Sequence, residues 1–594
     1  MLSGIAGEIA FRGTRANTAP VEHMITALTV DTGQNHNVWH NGWAVLGQAP
    51  RKNISRAEAA SQPTYDAEHD VALVFDGRLT NRDKLHTQLA DEYRFSTVTD
   101  AEVILAAYRR WDEDFVEHLH GEFAIVLADL RRQRLVLCRD RLGVKPLYLA
   151  HLGDRLRFAS TLPSLVASGG INTSVDATAL HHYMSWHSIV PAPRTILSGI
   201  TKLPPATLQI LDTDGQLHQR VYWQPDYVRD ARYASWNTQD WQEAILRALQ
   251  KAVARRIVAD DQVGVLLSGG LDSSLIVALL AQAGLRNIPT FSVGFDAVGD
   301  QTGNEFEYSD IIANTFGTDH HTLHLSSAEF SSAVGDAIGA MTEPMASHDV
   351  PAFYLHSQEV AGHANIVQSG QGADEIFAGY GYHRAAEAVP RESALPVFTD
   401  AFVDHTQSEL AQILNPAWRT SGNVSHEVLA EAVSAPGAET AVDAVLRLET
   451  QLFMADDPVK RVNNMTSIAG LEASVPFLDH ELVELVAACP IELKTAQGGK
   501  GILKDIGRTL LPSEVIDRPK GYFPVPALRH LQDPILSDIT HALHAPEARE
   551  RALFQPDYIK GLLEHPNEHY IPTGGNALWR LGLLELWLQR HDVG

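Results

Sequence analysis

One strand–loop–helix segment constrains the fold of this chain more than any other stretch. Residues 263–267 form a short apolar run that predicts a buried strand, and residues 275–283 form an apolar run, closed by Gly284, that predicts a helix. Between them stands Ser-Gly-Gly-Leu-Asp-Ser-Ser, residues 268–274. Its two glycines let the backbone approach an anion, while hydroxyl and free N–H groups at the helix start point toward that anion. The segment therefore predicts an anion-binding loop within an α/β sheet.

The residue types of this loop indicate nucleotide chemistry. Because Asp272 would repel a phosphate directly, its expected role is to hold Mg2+ that bridges the phosphates. A Walker A loop requires Gly-Lys-Ser/Thr, whereas this spacing is that of the pyrophosphate loop of ATP pyrophosphatases, which predicts cleavage of ATP between the α- and β-phosphates. An ordinary strand–turn–helix is the alternative, and the complete heptapeptide disfavours it. The residues expected to bind the nucleotide here are Leu267, Ser268, Gly269, Gly270, Asp272, Ser273 and Ser274.

Composition and charge exclude several classes of protein. At 594 residues the chain should hold two or more domains, each with its own core. Its 47 basic and 73 acidic residues give a formal charge of −26, which argues against a broad surface for nucleic acid or acidic membranes and leaves a local basic pocket open. The two cysteines, Cys138 and Cys489, are too few for a disulfide framework and suit a reducing cytosol. With no signal peptide and no run near about 18 apolar residues, a cytoplasmic protein is expected.

Two patterns of periodicity divide the chain. Up to about residue 160, short alternating segments separated by turns predict packed antiparallel sheets, and residues 21–28 and 100–111 show helical periodicity. This first part is predicted to be an α+β domain with its sheets sandwiched between helices. From residue 240 onward, long apolar helices alternate with short strands, which predicts a parallel sheet covered by helices, followed by a helical C-terminal part. The predicted strands of this sheet include residues 263–267, 290–295 and 366–368.

A second loop follows the predicted strand at residues 366–368. It reads Ser-Gly-Gln-Gly-Ala-Asp-Glu, residues 369–375. Open α/β sheets place ligands at the carboxyl ends of their strands. Asp374 is therefore expected to be the second Mg2+ carboxylate, beside Asp272, and Gly370 is expected to contact the nucleotide. A hinge loop with a solvated aspartate is the alternative.

Basic residues in the last third of the chain are candidates for charge neutralisation. Lys520 stands in a loop bounded by glycine and proline, residues 518–524, which would suit a lysine that neutralises a leaving pyrophosphate or an adenylate. Lys504 and Arg508, one helical turn apart, either face the phosphates or form a solvated basic surface.

Three histidines within residues 319–324 could suggest a metal site. A strand with partly buried histidines is the favoured interpretation, because the hard cation expected here prefers oxygen ligands.

With these motifs the chain resembles the asparagine synthetase B family, in which a glutaminase-type domain precedes an ATP-pyrophosphatase synthetase domain. Within the family it most resembles the N-acetylglutaminylglutamine amide synthetase branch, through Ser-Gly-Gln-Gly at residues 369–372 and Arg-Pro-Lys-Gly-Tyr-Phe-Pro-Val-Pro at residues 518–526. The segments that carry the family resemblance are residues 291–295, 370–380 and 471–479 and the loop that contains Lys520.

The resemblance implies an architecture and a reaction. Residues 1–205 would form an α+β Ntn-hydrolase-like sandwich, the glutaminase-like domain. Residues 206–594 would form a parallel-sheet domain of the ATP-pyrophosphatase (adenine nucleotide α-hydrolase-like) type. A carboxylate would attack ATP to give an acyl-adenylate and pyrophosphate, and a nitrogen nucleophile would then displace AMP.

The resemblance also implies roles for individual residues. Val293 and Gly294 would lie beside the adenine, and Lys520 would stabilise the adenylating transition state. Asp374, beside its role toward Mg2+, and Gln371 are further candidate catalytic residues. Gln371 replaces the family's glutamate and cannot take up a proton at neutral pH, so a mechanism that needs a Tyr–Glu base is disfavoured.

The glutaminase-like part lacks the residues that glutamine hydrolysis needs. Active relatives use a cysteine exposed by removal of Met1, whereas Leu2 and Ser3 stand here; Met1 should remain, and Ser3 would then have no free amine. Asp76 stands where relatives carry an asparagine and would repel an oxyanion. Asp100 resembles the residue that binds the glutamine amine and is retained. A scaffold without hydrolase activity is predicted, and Ser3 acting as a nucleophile after trimming is the alternative.

The sequence thus predicts an ATP-dependent, AMP-forming amide ligase that uses Mg2+ and takes its nitrogen from ammonia or an amine. Its carboxylate would be a small amino acid or an N-acylated peptide, by resemblance to the branch named above. Three alternatives are left open: ring closure as in β-lactam or lasso-peptide synthetases, a non-catalytic partner of a paralogue, and ammonia supplied by a separate glutaminase. A homodimer is also left open.

Overall fold

The computed structural model describes residues 4–29, 37–50, 62–257, 261–296, 303–518, 525–572 and 574–594. Ser3 and Lys520 lie outside the described residues. The chain divides into two units. Unit 1 comprises Met1–Ser174, Ala192–Gln224 and Ser467–Leu471, and unit 2 comprises Val175–Pro191, Pro225–Thr466 and Glu472–Gly594. The domain boundary predicted between residues 205 and 206 stays a prediction.

Within its described residues, unit 1 contains two six-stranded antiparallel sheets. Their orders are β10-β8-β9-β1-β3-β2 and β12-β11-β7-β6-β5-β4. The strands are β1 Gly4–Ala10, β2 Asn37–Asn41, β3 Ala44–Ala49, β4 Thr64–Asp66, β5 Val71–Leu79, β6 Gly121–Asp129, β7 Arg134–Arg139, β8 Tyr148–His151, β9 Arg155–Ala159, β10 Thr201–Lys202, β11 Thr207–Asp212 and β12 Leu217–Val221. The helices are α1 Thr18–Leu28, α2 Arg82–Leu89, α3 Asp100–Trp111, α4 Phe115–His118 and α5 Leu162–Ala167.

Strand β5 shows why this part of the chain forms a layered sandwich. Val74 packs into the core between the two sheets, together with Ile9 of β1. Its neighbours Leu73 and Phe75 point to the opposite face and pack against α3, where Ile104 is fully buried. Side chains alternate between the two faces of a strand, so an apolar run with both faces covered belongs to a central layer. The predicted α+β sandwich is confirmed.

Unit 2 is built on a five-stranded parallel sheet, counted over its described residues, in the order β15-β14-β13-β16-β17. The strands are β13 Val263–Leu266, β14 Pro289–Phe295, β15 Asp319–Leu325, β16 Ile366–Gln368 and β17 Glu472–Ser474. The predicted parallel sheet is confirmed, and the segment with three histidines forms its edge strand β15. Because β13 and β16 are neighbours, the loops that follow them lie at the same edge of the sheet.

Helices make up most of the rest of unit 2, as the periodicity predicted. They are α6 Ala177–Ser185, α7 Thr238–Ala254, α8 Leu271–Gln282, α9 Phe306–Phe316, α10 Ser327–Ala340, α11 Val350–Val360, α12 Ala373–Ile376, α13 Gly381–Glu387, α14 Ala394–Phe402, α15 Gln407–Ile413, α16 Val424–Ser434, α17 Ala441–Leu448, α18 Pro458–Ile468 (mostly in this unit), α19 His480–Ala488, α20 Ile491–Thr495, α21 Gly501–Arg508, α22 Ser513–Ile516, α23 Pro526–Arg529, α24 Ile535–His544, α25 Pro546–Arg551, α26 Pro556–Glu564 and α27 Ala577–Arg590. In the described part of the chain, none of the helices has the length and apolar character needed to span a membrane.

Asp140 organises the loop that follows β7 in unit 1. Its Oδ1 atom accepts hydrogen bonds from the backbone N–H groups of Leu142 (3.1 Å) and Val144 (3.0 Å). Its Oδ2 atom accepts hydrogen bonds from the N–H groups of Lys145 (3.0 Å) and Phe123 (3.2 Å). All five residues are buried, so water cannot replace the carboxylate if it is lost.

We expect Asp140→Ala to lower the free energy of unfolding of unit 1 by about 3 kcal/mol or more, because several buried N–H groups would lose their acceptor. Asp140→Asn keeps one carbonyl oxygen and should lose about half as much. Urea-induced unfolding of the full chain measures both. Equal midpoints for the unsubstituted protein and Asp140→Ala would contradict the assignment.

Candidate active site

The loop between β13 and α8 is held in shape by its own serines. The Oγ atom of Ser273 accepts a hydrogen bond from the backbone N–H of Ser268 at 3.2 Å, and the two serine Oγ atoms lie 3.1 Å apart. The N–H of Gly270 donates to Ser268 Oγ at 3.3 Å. Gly269 has a φ of +69°, and a Cβ atom there would lie 2.7 Å from the backbone nitrogen of Ser309. Only glycine fits this conformation and this close approach.

The loop places the N-terminus of α8 at the edge of the sheet. Gly270 is the N-cap residue of α8 and offers no side-chain cap. The first N–H groups of a helix have no acceptor within the helix, and the helix dipole favours negative charge at this end. This end of α8 is therefore suited to bind an anion.

Two carboxylates and one lysine converge beside this helix end. Lys500 Nζ lies 2.6 Å from Asp272 Oδ2 and 2.9 Å from Asp374 Oδ1. Burial alone would lower the pKa of Lys500, but the negative charges of Asp272 and Asp374 outweigh it and raise that pKa above its usual value. The lysine is thus permanently charged. The structure brings together the two aspartates that the sequence analysis paired.

Glycines allow this convergence. A Cβ atom at Gly379 would lie 1.9 Å from Asp374 Oδ1 and 2.5 Å from the Cε atom of Lys500. A Cβ atom at Gly370 would lie 2.9 Å from the Cβ atom of Asp272. Both distances at Gly379 are shorter than non-bonded atoms tolerate, so the backbone there must lack a side chain.

A cavity of about 370 Å³ opens at this edge of the sheet. Most residues that the sequence analysis singled out in unit 2 line it: Leu267, Ser268, Gly270, Asp272, Ser273, Val293, Gly370, Gln371 and Asp374. Gly269, Ser274 and Gly294 do not line it. Ser274 is fully buried behind the loop. At Gly294, a Cβ atom would lie 2.6 Å from atoms of Asn304 and Phe306, so this glycine lets those two lining residues approach β14.

Part of the cavity lining is apolar or aromatic. Phe291 and Val293 of β14 belong to it, together with Phe353 and His356 of α11. Burial lowers the pKa of His356 to about 4, so its imidazole is neutral at physiological pH. Apolar walls with a neutral polar edge suit a flat heteroaromatic base.

Lys500 is not among the residues predicted from the sequence, which leaves the roles of Lys504 and Arg508 open. Lys504 lines the cavity, with its Nζ atom donating to the carbonyl of Gln497 at 2.6 Å. Burial and the charge of Lys500 lower the pKa of Lys504. Arg508 does not line the cavity and instead lies 2.8 Å from Asp517. The only signal for Lys500 was the sequence Gly-Gly-Lys-Gly, residues 498–501, in which glycines flank a lysine.

Two candidate residues of the glutaminase-like part lie within unit 1. Asp76 Oδ2 accepts a hydrogen bond from Ser160 Oγ at 3.1 Å. Ser160 Oγ in turn accepts from the backbone N–H of Ile5 at 2.9 Å. Asp100, in the first turn of α3, accepts from the N–H of Leu79 at 2.9 Å. Both carboxylates are therefore engaged with the surrounding fold.

Gly379→Ala should lower the affinity for ATP by at least about tenfold, because the added Cβ would displace Asp374 or Lys500. Gly381→Ala is the matched control, since no atom lies within 4 Å of a Cβ there. Calorimetric titration with ATP and Mg2+ measures both. Equal affinities in the two variants would refute this account of Gly379.

Glu375 provides a pH-dependent test of the same loop. Its buried carboxylate accepts a hydrogen bond from Tyr380 Oη at 2.8 Å. Burial, followed by the charge of Asp374, raises the pKa of Glu375 from its ordinary 4.5 to about 7. Between these values the folded protein binds more protons than the unfolded chain, so this group makes the protein less stable as pH rises through the window.

We therefore expect Glu375→Gln, which does not titrate, to gain stability relative to the unsubstituted protein as pH rises from about 5 to 8. The relative gain should not exceed about 3 kcal/mol. Unfolding midpoints of both proteins across this range measure it. A difference that is constant with pH would contradict the raised pKa.

Comparison with known proteins identifies both parts of the chain. Residues 2–223 match the family model described as a glutamine amidotransferase domain, and residues 244–589 match the one described as asparagine synthase. The chain is 29% identical to asparagine synthetase [glutamine-hydrolyzing] 3 of Bacillus subtilis, over 88% of this chain and 87% of that protein. It is 25% identical to asparagine synthetase [glutamine-hydrolyzing] 1 of the same organism, over 96% and 94%. It is 27% identical to asparagine synthetase B [glutamine-hydrolyzing] of Escherichia coli, over 80% and 73%. With the fold and the clustered loops described above, these matches show that the chain belongs to the asparagine synthase family and is an ATP-dependent ligase.

Proposed function

We propose that this ligase adenylates a carboxylate with release of pyrophosphate and passes the acyl group to ammonia or an amine, without using glutamine. The observation that carries the proposal is the convergence of Asp272, Asp374 and Lys500 at a cavity whose lining also includes apolar side chains. Such a cavity offers charged groups for phosphates and a flat apolar surface for a base.

The carboxylates have the donor chemistry that Mg2+ requires. Asp272 and Asp374 each place an oxygen within 3 Å of the same ammonium group, so both can reach one small volume. Carboxylate oxygens are hard ligands, which Mg2+ prefers. When bound there, Mg2+ would supply positive charge to the phosphates of ATP.

In the first step, an oxygen of the substrate carboxylate attacks the α-phosphorus of ATP. A P–O bond forms, the bond between the α-phosphorus and the bridging oxygen breaks, and pyrophosphate leaves with the electron pair. Lys500 and Lys504 face this cavity and would neutralise the charge that develops on the leaving group. Lys520, which lies outside the described residues, is proposed for the same task from its sequence alone.

In the second step, the nitrogen nucleophile attacks the acyl carbon, the C–O bond to AMP breaks, and an amide remains. Gln371 lines the cavity and can hydrogen bond to the substrates. It cannot accept the proton that the nitrogen loses, so we propose that this proton leaves to another acceptor. The ring-closing alternative of the β-lactam type is weaker on the same ground.

The source of the nitrogen is proposed from unit 1. The first cysteine in the sequence is Cys138, which is fully buried in β7 and whose pKa burial raises. Residues 1–137 of this sequence therefore offer no thiol as a nucleophile for glutamine. By resemblance, Asp76 stands where active relatives carry an asparagine of the oxyanion hole, and an aspartate there would repel the oxyanion. These features support ammonia or an amine as the nitrogen donor.

We propose a chemical class for the carboxylate substrate. The relatives named above are asparagine synthetases, which supports an amino-acid carboxylate. The resemblance to N-acetylglutaminylglutamine amide synthetases supports an N-acylated peptide as a second member of the panel.

Pyrophosphate release from ATP and Mg2+ tests the proposal. Each carboxylate of such a panel is supplied with ammonium, with simple amines or with glutamine. We expect release that depends on ammonium or an amine and is unchanged by glutamine. Asp272→Asn, Lys500→Met and Lys520→Ala should each lower the rate by about 100-fold or more. Lys560→Met is the matched control, because Lys560 is largely exposed on α26.

Turnover driven by glutamine, with release of glutamate, would refute the inactive glutaminase site. Release of ADP and phosphate in place of pyrophosphate would refute adenylation. Full activity in Asp272→Asn would refute the site itself.

A further inference from the structure

Arg518 is a charged residue at the cavity that the mechanism above does not use. It lines the same cavity as Lys500 and Lys504. Only 9% of its side chain is exposed to solvent. An arginine keeps its charge under all physiological conditions, so this site holds a buried positive charge whose role is open.

The guanidinium group is held on two sides. Its Nη2 atom lies 3.1 Å from Glu305 Oε2. Its central carbon lies 4.5 Å from the centre of the Tyr308 ring, at cation–π distance. Glu305 is the N-cap residue of α9 and Tyr308 lies in its first turn, so the N-terminal end of α9 fixes the orientation of Arg518.

The Nη1 atom of the guanidinium group can donate to a ligand. The Nη1 atom is buried and has no hydrogen-bond partner among the residues that the structure describes. A buried N–H donor without an acceptor costs folding free energy, and such donors are uncommon unless they serve a ligand. Because Arg518 lines the cavity, a bound molecule can supply the missing acceptor.

The position of Arg518 identifies the chemistry of that molecule. A Cβ atom at Gly270 would lie 3.6 Å from Arg518 Nη2. Gly270 is the N-cap of the twelve-residue helix α8 and belongs to the loop whose spacing predicts pyrophosphate binding. A helix N-terminus and an arginine at the same place both attract an anion, and the planar guanidinium group matches the geometry of phosphate oxygens.

We propose that Arg518 binds the pyrophosphate portion of ATP and the pyrophosphate product, with Nη1 donating to a phosphate oxygen. Glu305 and Tyr308 are positioning residues that orient the guanidinium group. The assignment deepens the proposed function and rests on it, because it presumes that the cavity takes ATP. It adds a contact that AMP, which lacks the β- and γ-phosphates, does not make.

Direct binding measurements test the proposal. The unsubstituted protein, Arg518→Gln and Arg508→Gln are titrated calorimetrically with pyrophosphate, ATP and AMP in the presence of Mg2+. Both substitutions remove one positive charge, but Arg508 does not line the cavity. Arg518→Gln should lower the affinities for pyrophosphate and for ATP by roughly 10- to 100-fold, the loss expected for one hydrogen bond to a charged group. The affinity of Arg518→Gln for AMP should change by less than about threefold. Arg508→Gln should change all three affinities by less than about threefold.

Two outcomes would overturn the assignment. Unchanged affinity for pyrophosphate in Arg518→Gln, or no pyrophosphate binding by the unsubstituted protein, would remove Arg518 from this role. An equal loss for AMP would place its contact at the α-phosphate.

Further variants separate binding from folding. Arg518→Lys keeps the charge and should bind pyrophosphate more tightly than Arg518→Gln, whereas a purely structural arginine would show no such rescue. Glu305→Gln should lower the affinity for pyrophosphate by a few-fold, because the guanidinium group of Arg518 loses its fixed orientation. These measurements need no turnover. A protein that binds pyrophosphate as described, yet releases none with any carboxylate, would refute the proposed function and leave this assignment intact.

Discussion

The architecture of the site depends on one electrostatic arrangement, the placement of Asp272 and Asp374 on either side of Lys500. Two carboxylates that share one small volume repel each other, and burial increases that repulsion. Lys500 Nζ lies within 3 Å of both and offsets it. The folded chain can therefore hold close together the two carboxylates that we propose as Mg2+ ligands. Their spacing follows from the sheet, because β13 and β16 are neighbours and each aspartate follows one of these strands.

Close packing of the backbone makes the same arrangement possible. Gly379 approaches Asp374 and Lys500 more closely than any side chain would allow, and Gly370 approaches Asp272 in the same way. Gly269 adds a left-handed turn that brings the loop against α9. The glycines thus determine how near the loops come, and the charges determine what those loops bind. Neither feature alone would support the phosphate site that we propose.

The sequence predicted the parts of this site that depend on local pattern. Strand and helix periodicity located both loops, and the glycines marked where the backbone comes close to another group. Lys500 escaped prediction because it follows a short helix far along the chain, and its role arises only when the fold brings it to the aspartates. Ser274 was expected at the nucleotide but is buried behind the loop, since helix α8 has already turned it inward. Lys520 and Ser3 stay predictions.

In unit 1, residues that stabilise the fold can be compared with residues that glutamine hydrolysis would use. The loop after β7 keeps its organising Asp140, with four backbone donors bound to one buried carboxylate. The same sandwich carries Asp76 at the position expected for oxyanion stabilisation. Loss of Asp140 would leave buried N–H groups without an acceptor, so the sandwich itself requires that residue. Asp76 is also buried, and its Oδ2 atom accepts a hydrogen bond from Ser160 Oγ. The stability of the sandwich therefore depends on residues such as Asp140, whereas the proposal of ammonia or an amine as the nitrogen donor depends on the residues that glutamine hydrolysis would use.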